Sequence, residues 1–132
     1  MEHYPVKILL AFGEALDSNQ LIDQWLRENG YPELSALASA IRGNTDAIQW
    51  LMKHKFQHLA AFDGAIVNEP GTLDWLIRFN YRFLATFALA CQGRPEALGW
   101  FQANDLQIFI SLAQKIKRIT DSKEFNFYKR NN

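Results

Sequence analysis

The stretch HKFQHLAAFD, residues 54–63, holds the side chains best suited to chemistry. His54 and His58 stand four apart. On one continuous helix that spacing would put two imidazoles on a single face, where they could hold a divalent cation. Asp63 would add a carboxylate to a site around them. Two features oppose this reading. A turn is expected at Lys55, which breaks the helical register between the histidines, and Lys53 and Lys55 would repel a cation. The pair therefore reads as solvated surface. Asp63 falls on an apolar helical stripe, where a carboxylate needs a partner or water. It reads as a local cap or a partner contact. Cys91, the single cysteine, replaces an isoleucine in a core position and reads as an inert buried thiol.

No glycine-rich phosphate loop, HExxH pattern or nucleophile elbow is present. Ser18, Ser35, Ser39, Ser111 and Ser122 have no evident histidine base. The chain thus reads as not an enzyme, with no cofactor and no metal. A small enzyme or metal site near His54, His58 and Asp63 ranks third among the functional readings.

Lys+Arg and Asp+Glu both number 14, so the net charge is zero and nothing general calls for nucleic acid or an anionic membrane. The charge is graded, however: residues 1–40 carry −4 and residues 41–132 carry +4. A lone cysteine excludes an internal disulfide framework. The longest apolar run, FLATFALAC at 83–91, is too short to span a bilayer, and the N-terminal segment reads as part of the fold. A cytoplasmic protein with no membrane contact is expected.

The elements that must position these residues follow from a period. Trp25, Trp50, Trp75 and Trp100 are each 25 apart. In the same register stand Leu26, Leu51, Leu76 and Phe101, then Tyr31, Phe56, Tyr81 and Leu106. Further columns are Leu34, Leu59, Leu84 and Phe109, then Leu37, Phe62, Phe87 and Leu112, then Ile41, Ile66, Cys91 and Ile116. The register reaches back to Leu9, Phe12, Ala15 and Leu16, and forward to Phe125. Such a period marks stacked repeats. Leu34, Leu37, Ala38 and Ile41 form one stripe of a helix. A shorter helix carrying the tryptophan precedes it. Pro70 and Pro95 suit first helical turns, and Gly43 and Gly93 suit helix ends. Asn29-Gly30 and Asn104-Asp105 separate the paired helices, and Asp121 with Glu124 would open a final helix. No segment alternates like a strand.

The expected architecture is all-α, a right-handed α-solenoid of stacked helix pairs. It would be one domain over residues 1–132, with a half unit at 1–18, four units at 19–118 and a terminal half unit at 119–132. Glu2, His3, Lys129, Arg130, Asn131 and Asn132 suit its wet ends. Each tryptophan is expected as a wedge in the seam between units, where Trp→Ala would cost about 3–5 kcal/mol.

The stretch LSALASAIRGNTDAIQWLMKHKF resembles the helical part of an ankyrin repeat through Leu34, Leu37, Ala38, Gly43, Asn44, Ile48 and Leu51. LATFALACQGRPEALGWF repeats that outline through Leu84, Ala88, Gly93 and Leu98. The threonine-proline-leucine-histidine start and the hairpin between units are absent. The resemblance implies an ankyrin-like interaction scaffold without hairpin-tip binding; HEAT-type arrays are similar to a comparable degree.

The longer helices carry small residues, in the columns Ala36, Ala61, Thr86, Ser111 and Ala40, Ala65, Ala90, Lys115. An array narrow along them and wide along the tryptophans would curve with the longer helices inside, and such a concave face is the usual binding surface. Its variable positions give the candidate partner-binding residues: His54, His58, Phe79, Arg82, Phe83 and Ile108. Aromatics and arginine are typical interface anchors. A protein or peptide partner is expected. Nucleic acid is the alternative, through Arg78, Arg82, Arg94, Lys115, Lys117, Arg118 and Lys123.

Overall fold

The structure, a computed structural model, describes the backbone of residues 1–131 and the side chains of residues 1–123. It is all-α: α1 (Val6–Leu16), α2 (Gln20–Glu28), α3 (Pro32–Ile41), α4 (Thr45–Lys53), α5 (Gln57–Ile66), α6 (Thr72–Arg78), α7 (Arg82–Cys91), α8 (Pro95–Ala103) and α9 (Gln107–Asn131). The helices pack mainly on their sequence neighbours. Asn19 and Asn44 cap α2 and α4, accepting from the backbone N–H of Ile22 and Asp46 at 3.3 and 3.0 Å. Left-handed residues turn the chain after the long helices at Ser18, Gly43, Asn68 and Gly93, and after the short ones at Gly30, Lys55, Asn80 and Asp105.

Two layers result. The long helices α1, α3, α5, α7 and α9 pack side by side, each on the next, and α2, α4, α6 and α8 lie outside them. The core sits between the layers. Leu26, Leu51, Leu76 and Phe101 of the outer helices are all fully buried, as are Phe12, Leu37, Phe62 and Phe87 of the inner ones. Burying each such side chain contributes about 1.5–3 kcal/mol.

The long helices also close on themselves. α9 packs against α7 on one side and α1 on the other, and touches α3. The Lys115 ammonium donates to Gly13 O at 3.2 Å and pairs with Asp17 at 2.6 Å. Gly13 stands where the other long helices carry Ala38, Asp63, Ala88 and Ala113. A Cβ there would lie 3.2 Å from Leu112, so the glycine admits α9 at close range. With α9 packed on both α7 and α1, the long helices form a closed set. Basic and amide side chains tie the long helices together at the C-terminal ends of α1, α3 and α5, where carbonyls lack helical partners. Arg42 donates to Ala15 O, Gln92 to Ala65 O at 2.7 Å and Lys123 to Ile41 O at 2.6 Å.

Three expectations change. The tryptophans are not sealed wedges. Trp25 and Trp100 are 37% and 44% exposed, and Trp50 and Trp75 are half-buried; the apolar residue after each tryptophan fills the seam instead. The outer helices keep their Cα atoms more than 8 Å apart among the described residues, and the rings wall the grooves between them. The column Ala36, Ala61, Thr86, Ser111 is only partly buried or exposed, and Ala61 and Thr86 floor two of these grooves; only Ala40, Ala65 and Ala90 lie buried. Finally, no helix begins at Asp121, because α9 runs through it, and Pro70 lies outside α6, where Gly71 at φ 84° interrupts the backbone. Pro95 does open α8. Glu124, Phe125, Lys129, Arg130, Asn131 and Asn132 lie outside the described side chains.

Candidate functional site

The turns that join each short helix to the next long one form one edge of the molecule. At three of the four turns a side chain can cap the carbonyl of the preceding tryptophan. Asn29 and Asn104 donate to Trp25 O and Trp100 O, each at 2.8 Å, and His54 Nδ1 lies 2.9 Å from Trp50 O. The His54 ring also stacks on Trp50 at 4.0 Å. Phe79 holds the fourth such position. It has no polar atom to make that bond, packs on Trp75 at 4.8 Å and remains 55% exposed.

Aromatic rings then run without a break along this edge. Trp50 stacks with Phe56 at 6.1 Å, Phe56 meets His58 at 6.1 Å and His58 stacks on Tyr81 at 4.9 Å. Tyr81 stacks on Trp75 at 5.8 Å, and Phe79 ends the run. Burial, the nearby terminal amine and His3 push the His58 pKa down, against an opposing pull from Glu33. The histidine is held towards its neutral form, which suits stacking.

The six candidate residues therefore separate. His54, His58 and Phe79 share the aromatic edge. Arg82 and Phe83 line a groove of about 550 Å3 with Ile77, Thr86, Leu89 and Trp100. Phe83 also turns inward, edge-on to Phe101 at 5.4 Å and Phe109 at 4.9 Å, so it is as much core as surface. Ile108 lies across the molecule, in an apolar groove of about 500 Å3 between α1, α2 and α9 with Leu10, Ile22 and Trp25. Trp50, Phe56, Trp75 and Tyr81 were visible in sequence only as core columns; that they join His54 and His58 in one run depends on contacts between successive units.

Asp63 is mostly buried on α5. Burial raises its pKa, Lys123 opposes and Glu69 adds a smaller push, which together bring it to about 6. Beside it, Gly64 is a close approach: a Cβ would come 2.5 Å from a Glu69 carboxylate oxygen and 2.7 Å from Thr72. No group of three or more His, Cys, Asp or Glu suited to a metal occurs among the described residues. Of the basic candidates, Lys115 and Lys123 are engaged within the fold, and Lys117 pairs with Asp121 at 3.0 Å. Cys91 is buried, which pushes its thiol pKa well up. No helix is long and apolar enough to cross a membrane among the described residues.

Compared with protein-family models, curated proteins and solved structures, the chain matches none at a significant level.

Proposed function

We propose that this chain is a non-enzymatic scaffold, a right-handed solenoid of 25-residue helix pairs whose ends meet, and that it captures a protein or peptide partner. The partner docks on the aromatic edge rather than on an inner face. The repeat reading is supported by the sequence columns and by left-handed turn residues at 18, 43, 68, 93 and at 30, 55, 80, 105.

One observation carries the docking reading. Phe79 occupies a position where Asn29, His54 and Asn104 cap a carbonyl, yet it offers no cap and exposes more than half of its ring. A residue that forgoes a local bond to expose an aromatic surface fits an interface anchor. Arg78 and Arg82 flank it in sequence, favouring partners with acidic residues beside apolar ones.

The test is a displayed peptide library panned on the wild-type chain. Selected peptides should lose at least about ten-fold in affinity when Phe79→Asn is combined with Tyr81→Ser, roughly 1.4 kcal/mol or more. Asparagine is the residue found at two equivalent turns, so the turn is kept. Leu21→Ser, on exposed α2, should leave affinity unchanged. Peptides that bind both variants alike would show that the edge is misassigned. The nucleic-acid alternative is disfavoured by the internal engagement of Lys115 and Lys123; salt-sensitive retention on an oligonucleotide column would revive it.

A further inference from the structure

The first five residues form no helix, yet they are built into the fold. Met1 is only 5% exposed and joins the buried cluster, while Tyr4 N–H turns back to Met1 O at 3.1 Å. The segment crosses the starts of three long helices. At α3, the Tyr4 hydroxyl donates to Glu33 Oε1 at 2.7 Å, and its ring meets Tyr31 edge-on at 6.0 Å. At α5, His3 and the terminal amine are near enough to act on His58. At α7, Glu2 lines the same groove as Arg82 and Phe83.

Glu33 is the telling residue. It is 7% exposed, a carboxylate buried in the first turn of α3, and the Tyr4 hydroxyl donates to it. Buried carboxylates are costly unless a donor meets them. The seat thus presents an acceptor for a hydroxyl and an apolar hole for a thioether, with the Arg82 guanidinium on the groove that Glu2 lines, not paired with it. These are three complementary features within one short stretch. The resident segment holds them with one buried side chain and one long-range hydrogen bond, and segments so lightly held open before the rest of a domain does.

We propose that residues 1–5 are a tethered pseudo-ligand, and that a partner segment with an apolar residue, an acid one place on and a tyrosine two places further displaces them from the starts of α3, α5 and α7. This rests on the reading of the chain as a peptide-capturing scaffold and gives it a second contact, continuous with the aromatic edge through His58. The tether keeps the seat filled by its own chain, so an outside segment binds only in proportion to the time the seat is open.

The experiment uses a fluorescein-labelled peptide of the chain's own residues 1–7, MEHYPVK, in anisotropy titrations against the full chain. A loosened full-length variant, Glu2→Ser with Tyr4→Ser, should bind it at least about ten-fold more tightly than wild type. Arg82→Glu should reverse the preference at the second position, favouring MKHYPVK over MEHYPVK. Circular dichroism establishes that each variant is helical; if the loosened one is not, the Arg82→Glu reversal decides alone. Equal affinity for the loosened and wild-type chains, no binding to either, or no reversal overturns the proposal. Because the edge is read with library-selected peptides and the seat with MEHYPVK, whose binding Leu21→Ser on exposed α2 should leave unchanged, failure here is distinct from failure of the aromatic edge.

Discussion

Asp63→Asn should stabilise the protein, and the gain should shrink in acid. Asp63 stands in a column of Ala38, Ala88 and Ala113, mostly buried, with its carboxyl pKa raised from 3.8 to about 6 by burial first, with a smaller push from Glu69. Between pH 4 and pH 6 the folded state therefore binds more proton at this group than the unfolded chain does, and stability falls as pH rises through that window. At pH 7.5 both states are ionised, and the folded one bears the full cost of an unprotonated buried acid. Two pH steps at 1.36 kcal/mol each give about 3 kcal/mol. At pH 4.5 the folded carboxyl keeps its proton, and the cost falls to about 1 kcal/mol. Asparagine keeps the shape without the charge. Urea titrations followed by circular dichroism, at pH 7.5 and pH 4.5, should show the variant ahead by about 3 and about 1 kcal/mol. A gap that does not change with pH, or a variant less stable at pH 7.5, would refute the burial argument.

Neighbouring residues give a second contrast: Phe101→Ala should cost about 3–5 kcal/mol, because the ring is fully enclosed by Phe83, Phe87 and Phe109. Trp100→Ala, whose ring is 44% exposed, should cost only about 1–2 kcal/mol because water fills the space left behind; equal losses in urea would contradict the layer assignment. Lys55 holds a left-handed φ of 68°, so Lys55→Gly should relieve backbone strain and raise stability by about 0.5–1 kcal/mol net of the extra unfolded-chain freedom. Asn44→Ala should cost about 1 kcal/mol by removing the α4 cap, read as a lower urea midpoint with an unchanged slope.

The helices were legible because their determinants are local. The stripe Leu34, Leu37, Ala38, Ile41 predicts α3 almost to the residue, and the Asn29-Gly30 and Asn104-Asp105 breaks fall at turns. The tryptophans misled because each is followed by another apolar residue. Periodicity cannot say which of two adjacent positions faces the seam when the helix is only two or three turns long, and here the smaller, less amphipathic side chain won. The return of α9 to α1 left no local mark. It joins Gly13 and Asp17 to Lys115, about a hundred residues away, and the lysine in a column of alanines was its only trace. The seat of residues 1–5 was hidden for a similar reason: Tyr4 meets Glu33 only across 29 residues of chain.

Closure of the long helices decides which surfaces can serve a partner, and native-state hydrogen exchange measures it most directly. In an open stack the terminal helices have one unpartnered side and exchange first. With α9 packed on α1, the amides in the middle of α1, Leu9 to Gly13, should exchange as slowly as those in the middle of α5 and α7. Exchange in α1 faster by about a hundred-fold, equivalent to roughly 2.7 kcal/mol of lost protection, would mean that the ends stand apart.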